Sequence, residues 1–198
     1  MDVSKGAELV KIARKTIEEY LENGGVYKPK TVGKYEKSGV FVTLKTYPDD
    51  ELRGCIGYPE PTELLPALVD SAISAATRDP RFPPVEKEEL ESLVVEVTVL
   101  SKPELMKVAS PGEYLTKIKI GRDGLIVEKG AYKGLLLPIV PVEYSWAPLE
   151  FLCHTCLKAG LGADAWQDKE TKVYCFKGEL FSEEKPKGRI SKVSNNQP

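Results

Sequence analysis

The chain has 198 residues, 41% hydrophobic and 29% charged, with a formal net charge of -2 and four cysteines. That is enough to bury a core as one domain, or as one body with a second lobe, and the charge argues against a dedicated nucleic-acid binder. No apolar run spans a bilayer and no secretory signal opens the sequence, so reduced thiols in a cytoplasmic protein are expected rather than a disulfide framework.

Taken in order, the first predicted element is a helix from Ser4 to Asn23. Leu9, Ile12, Ala13, Thr16, Ile17, Tyr20 and Leu21 recur there at helical spacing, and Gly24-Gly25 stops it. A polar linker containing Pro29 leads to a β-branched and aromatic strand, Val40 to Tyr47. Pro48-Asp49-Asp50-Glu51 is turn chemistry, so the residues from Leu52 onward pair back as the second arm of a hairpin.

That arm begins Leu52-Arg53-Gly54-Cys55-Ile56-Gly57. In an extended chain Arg53, Cys55 and Gly57 share one face. An arginine beside a cysteine favours the thiolate, the form that acts as nucleophile, and the two glycines leave room for close approach to the backbone. A core cysteine with glycines at a packing contact fits the same six residues.

Thr62 is placed to cap a helix running to Thr77, ended by the charged loop Arg78-Asp79-Pro80-Arg81-Phe82-Pro83-Pro84. This order puts the helix-start amides near Cys55, a setting that suits an anion. A short helix over Glu86 to Glu91 precedes a strand from Leu93 to Leu100. In it Val95, Val97 and Val99 share one face, and Glu96 stands on the other among apolar neighbours, where a carboxylate needs a partner or a role. Further on come a helical turn near Pro111 to Leu115 and short strands with hairpin-type turns at Arg122-Asp123-Gly124 and Lys129-Gly130. A buried strand over Gly134 to Val140 follows, then a helix from Val142 to Ala159 entered through Pro148, and a last strand from Val173 to Phe176. From Ser182 the sequence turns polar and reads as a mobile tail. Helices and antiparallel hairpins mix without βαβ alternation, so the expected class is α+β: one domain over residues 1–181 and a tail over 182–198.

Cys153-His154-Thr155-Cys156 holds the one histidine and invites a metal or redox reading. Leu149, Leu152, Cys153, Cys156 and Gly160 nevertheless fall on one helical stripe and no second C-x-x-C exists, so core packing is expected and no metal. There is no P-loop, G-x-G-x-x-G or H-E-x-x-H, and no cofactor is assigned. If Cys55 is a nucleophile, its activation comes from Arg53, Arg78 or Arg81, or from a carboxylate such as Glu96 acting as acid or base.

The hexapeptide resembles the signature of the AMMECR family. Arg78-Asp79-Pro80-Arg81-Phe82, Glu96-Val97-Thr98-Val99-Leu100-Ser101, Gly134-Leu135-Leu136-Leu137-Pro138 and Cys156-Leu157-Lys158-Ala159-Gly160-Leu161 are similar, in the same order, to further segments of that family. The resemblance implies antiparallel and mixed sheets with flanking helices in two unequal subdomains, with a groove between them. It places Arg53, Gly54, Cys55 and Gly57 at that groove, with Arg78, Asp79, Arg81 and Glu96 as neighbours. It also implies a shared pathway with Memo-type and radical-SAM-like proteins, and it carries no established catalysis. Ile139 stands where the family often has Gln, which counts against a polar role for the segment after Leu137. Two functions follow as expectations: binding of a small anionic ligand with Cys55 as reactive thiol and Glu96 as acid or base, or a non-catalytic interaction module using the same residues. Neither a nucleic acid nor a membrane is expected as partner.

Overall fold

The structure, a computed structural model, describes residues 1–30 and 35–193. The described chain is α+β and divides into two compact units: Met1–Leu100 with the chain from Glu179 onward, and Ser101–Gly178.

The first unit opens with helix α1 (Val3–Asn23). Asp2 caps its start by accepting from the Lys5 N–H at 2.9 Å, and Gly24 ends it in the left-handed region at φ 72°. Strands β1 (Ser38–Thr46) and β2 (Leu52–Thr62) form the expected antiparallel hairpin, and β3 (Leu93–Leu100) pairs antiparallel with the other side of β1. Helix α2 (Leu64–Thr77) and α1 lie over one face of this sheet, burying Val40, Val42 and Leu44 of β1 and Val95, Val97 and Val99 of β3 with Leu9, Ile17, Leu68 and Ala72. Period two in the strands and a helical stripe in α1 are satisfied by the same core.

The hairpin departs from expectation in its second arm. Tyr58-Pro59-Glu60-Pro61 is strand rather than turn, and Thr62 pairs with Ser38 instead of capping a helix; Glu63 takes the cap position. Prolines are tolerated because β2 is the outermost strand, where a missing N–H costs no ladder bond. Between the pairs Leu44–Gly54 and Lys45–Leu52 the register skips Arg53, which is the extra residue of a bulge.

The second unit contains a short strand β4 (Glu104–Leu105), helix α3 (Glu113–Lys117), a hairpin β5 (Asp123–Lys129) and β6 (Tyr132–Leu136), and helices α4 (Val140–Glu143) and α5 (Pro148–Lys158). Strand β7 (Lys172–Glu183) gives its first half to this unit, between β4 and β5, and its last residues to the first unit. There β7 pairs with β3 and with β8 (Ile190–Val193). Tyr114, Leu125, Val127, Phe151, Leu152, Cys156, Trp166 and Val173 are buried together as the second unit's core.

Four expectations change here. Asp123 and Gly124 start β5 instead of forming a hairpin turn: the Asp123 carboxylate, 1% exposed, accepts from Arg122 Nε at 2.6 Å and from the Lys119 N–H at 2.9 Å. The strand expected over Gly134 to Val140 is instead β6, which ends at Leu136 and leaves Ile139 half exposed. The single helix over 142–159 is two, because Ser145 turns the backbone to φ 55° and Pro148 then starts α5, whose Glu150 accepts from the Ala147 N–H. The tail expected from Ser182 is ordered strand as far as Glu183 and returns as β8; Ser182 and Glu183 are buried. Glu183 accepts from Arg14 Nε at 3.0 Å, and Arg14 also donates to the carbonyls of Leu90 and Leu93, so the polar residue that looked like a tail position answers a buried arginine. Residues 194–198 of the expected tail, and residues 31–34 of the expected linker, lie outside the described residues.

Candidate functional site

On the sheet face away from α1 and α2, register alone lines up three residues. Cys55 of β2 is the partner of Thr43 in β1, and Thr43 is the partner of Glu96 in β3. Side chains in such a row point the same way, with neighbouring Cβ atoms about 5 Å apart. The Thr43 hydroxyl donates to Cys55 Sγ at 3.2 Å. Glu96 Oε1 accepts from the Ser182 hydroxyl at 3.1 Å and lies 3.8 Å from Lys45 Nζ. Glu96 is 8% exposed and Cys55 half-buried. Glu96 thus stands on an interior strand, with the partners that a buried carboxylate demands.

Burial dominates both titrations. It pushes the Cys55 thiol up, opposed by the Thr43 hydrogen bond and the Arg81 charge and reinforced by Asp79 and Glu96. It pushes the Glu96 carboxyl up as well, opposed chiefly by Lys45. The thiolate expected from Arg53 is therefore not favoured at rest. The reason is geometric: Arg53, at its bulge, donates to Glu89 through Nε at 2.8 Å and a terminal nitrogen at 3.0 Å, and to the Pro83 carbonyl at 2.9 Å. Its charge is spent on the loop, and it holds the Glu89 carboxyl below the usual range.

Asp79 and Arg81 grip the motif from its outer edge. The Asp79 carboxylate, 5% exposed, accepts the Cys55 N–H at 2.8 Å and Arg81 at 2.7 and 3.0 Å, while Arg81 reaches the Cys55 carbonyl at 3.4 Å. These bonds hold the Asp79 carboxyl well below the ordinary carboxylate range. Arg78 pairs with Asp70 at 3.4 Å, and Asp70 also accepts from the Tyr58 hydroxyl.

The motif glycines give room to the protein itself. A Cβ at Gly54 would stand 2.1 Å from the Ala75 carbonyl oxygen, and one at Gly57 would stand 2.2 Å from that of Val40. It is thus the C-terminal turn of α2 that lies against the motif, not its N-terminus. β2 runs on to Thr62 before α2 begins, so the helix returns with its last turn at Gly54. A helix C-terminus carries negative partial charge and gives an anion no welcome.

The second cysteine cluster behaves differently. Cys156 is fully buried among Phe151, Leu152 and Trp166, and burial pushes its thiol up to about 11. Leu149, placed on the buried stripe by spacing, is half exposed, and Phe151 occupies the core in its stead. His154 stacks on Trp146 with ring centroids 3.9 Å apart. Among the described residues no group of three metal-ligating side chains converges, and no helix is long and apolar enough to cross a membrane.

Known proteins share this arrangement of chain. The AMMECR1 family model matches residues 10–181. This chain belongs to the AMMECR1 family. It is 54% identical over 196 residues to Protein MJ0810 of Methanocaldococcus jannaschii, covering 96% of each chain. It is 53% identical over 194 residues to Protein MK0488 of Methanopyrus kandleri, covering 96% of this chain and 94% of the other. The crystal structure of an uncharacterized protein, PH0010 from Pyrococcus horikoshii, is similar with a TM-score of 0.79 and 52% identity over 98% of each chain. Family membership brings the motif and the fold, and the relatives' names assign no activity.

Of the expected site residues, Cys55, Glu96, Asp79 and Arg81 meet around the motif, whereas Arg53 and Arg78 turn to Glu89 and Asp70. Thr43, Lys45 and Ser182 were missed. Strand alternation already placed Thr43 and Lys45 together on one face of β1; what the sequence withheld was which strand lay on each side.

Proposed function

We propose that this sheet face binds a small electrophilic ligand, with Cys55 as nucleophile and Glu96 as proton acceptor. The observation that carries the reading is the row Cys55–Thr43–Glu96, a partly exposed thiol aligned with a buried carboxylate. Transfer of the thiol proton to Glu96 leaves a thiolate and a neutral carboxylic acid, so the two residues together carry one negative charge before and after. Attack on a carbonyl carbon forms a C–S bond as the leaving group departs, and the Glu96 carboxyl returns the proton to it. Arg81, whose side chain is about half exposed, is the cation best placed to hold an anionic part of such a ligand, in competition with Asp79. Gly54 and Gly57 serve the backbone in this reading. Memo-type and radical-SAM-like proteins would supply or consume the ligand, a link that rests on family resemblance alone.

The test is the iodoacetamide labelling rate of each cysteine in the folded protein across pH, read by peptide mass spectrometry. Cys55 is expected to label with a low shoulder near neutral pH, from the minor thiolate–acid form, and a main wave at higher pH. In Glu96→Gln the shoulder disappears. The main wave moves to lower pH, since the carboxylate that raised the thiol is gone. A Cys55 as protected as Cys156 would sink the nucleophile. The same face would then be a partner-binding module with Cys55 as packing, the reading that the burial-raised thiol favours.

A further inference from the structure

The proposed chemistry leaves a gap. Cys55 and Glu96 stand on strands separated by β1, about 10 Å apart along the hydrogen-bonding direction. The residue in that gap, on the same face and in register with both, is Thr43. Its hydroxyl is within hydrogen-bond distance of Sγ.

We infer that Thr43 is the positioning residue of this site, orienting the Cys55 thiol on the face it shares with Glu96. The inference rests on the nucleophile reading above. A hydroxyl has one proton to give and two lone pairs, so it can donate to sulfur in one state and accept from it in the other. Here it donates to Sγ, which supports the thiolate against the effect of burial.

The groups around the two residues leave the orienting role to Thr43. Facing Cys55 are Thr43 from β1, Asp79 and Arg81 from the loop after α2, and Glu96 from β3. Facing Glu96 are Lys45 from β1, Ser182 from β7 and Asp50 from the β1–β2 turn. Lys45 is shared between Glu96 and Asp50, at 3.8 and 3.1 Å. The Ser182 hydroxyl shares its proton between Oε1 of Glu96 at 3.1 Å and the Glu183 carbonyl at 3.0 Å. The thiol itself is anchored from behind, because the Cys55 N–H is bound to Asp79 and its carbonyl to Arg81. With the backbone fixed from the outer edge, the hydroxyl on β1 is what sets the direction of Sγ.

The variant that tests this is Thr43→Val, which keeps the branched shape and removes the hydroxyl, read beside Thr43→Ser. Using the full-length protein and the labelling assay above, Thr43→Val should slow Cys55 labelling near neutral pH by about fivefold and carry its main wave to higher pH, because the thiolate loses a donor. Thr43→Ser should restore the wild-type profile. Labelling of Cys153 and Cys175 should be the same in all three proteins, which controls for loosening of the fold. If Thr43→Val gives the wild-type pH profile, or Thr43→Ser fails to restore it, the positioning role is wrong while a reactive Cys55 stands. If wild-type Cys55 does not label in the folded protein, the nucleophile reading and this inference fall together.

Discussion

Cys55 and Cys156 are both raised by burial, yet only at Cys55 do a hydroxyl and a guanidinium oppose it. Cys156 sits among an aromatic ring, a leucine and an indole; the Trp166 main chain alone opposes its burial, and Cys153 and Asp164 push its thiol up further. Cys55 loses less contact with water and has a hydroxyl, a guanidinium and two carboxylates around it. Burial sets the resting state of a thiol; its neighbours decide whether that state can be left. A cysteine count cannot separate the two, and neither can a C-x-x-C spacing.

The sharpest way to break the contrast is to unseat the motif. Gly54→Ala drives a methyl into the Ala75 carbonyl, backbone against backbone, and should cost about 3 kcal/mol, seen as a lower midpoint in guanidinium unfolding. An unchanged midpoint would mean that β2 and α2 separate easily, and that Cys55 is held less firmly than its bonds to Asp79 and Arg81 imply. Next comes Asp79→Ala, which leaves the Cys55 N–H and Arg81 without their acceptor and should cost about 2 kcal/mol. The pH dependence sharpens this. The folded Asp79 value lies below that of the unfolded chain, so its contribution is complete above about pH 4 and is lost as pH falls below it. The wild type should therefore lose stability between about pH 4 and pH 2 more steeply than Asp79→Ala does. Unfolding curves collected over that range would show it.

The two cysteines then part company directly. Cys156→Ser places a hydroxyl in an apolar site and should cost about 1–2 kcal/mol. Cys55→Ser keeps a hydrogen-bonding group beside Thr43 and should change stability by less than about 0.5 kcal/mol. Equal costs would erase the distinction between packing and polar cysteine.

What could be read in advance follows the range of the interactions. The hairpin, both long helices and the faces of β3 came from periodicity and turn chemistry, which are local. Cys55 stood out because an arginine and two glycines adjoin it, but the partner of that arginine, Glu89, lies 36 residues on, and nothing local announces it. Ser182 and Glu183 looked like the start of a polar tail because their neighbours are polar. They are buried because Glu96 and Arg14, far away in sequence, need them. The α2 dipole was assigned the wrong end for a similar reason. The length of β2, extended by two prolines that only an edge strand accepts, decides which turn of the helix meets Gly54.

That same edge has a consequence for how the molecule keeps to itself. An outermost strand is a template on which a neighbouring chain can add, and fibril growth begins at such places. Along β2 the main-chain groups at Cys55 are already taken by Asp79 and Arg81, and two residues beyond Gly57 the donors stop, at Pro59 and Pro61. An arriving strand would find no continuous ladder to grow on. The clamp that steadies the thiol also closes the sheet to strangers.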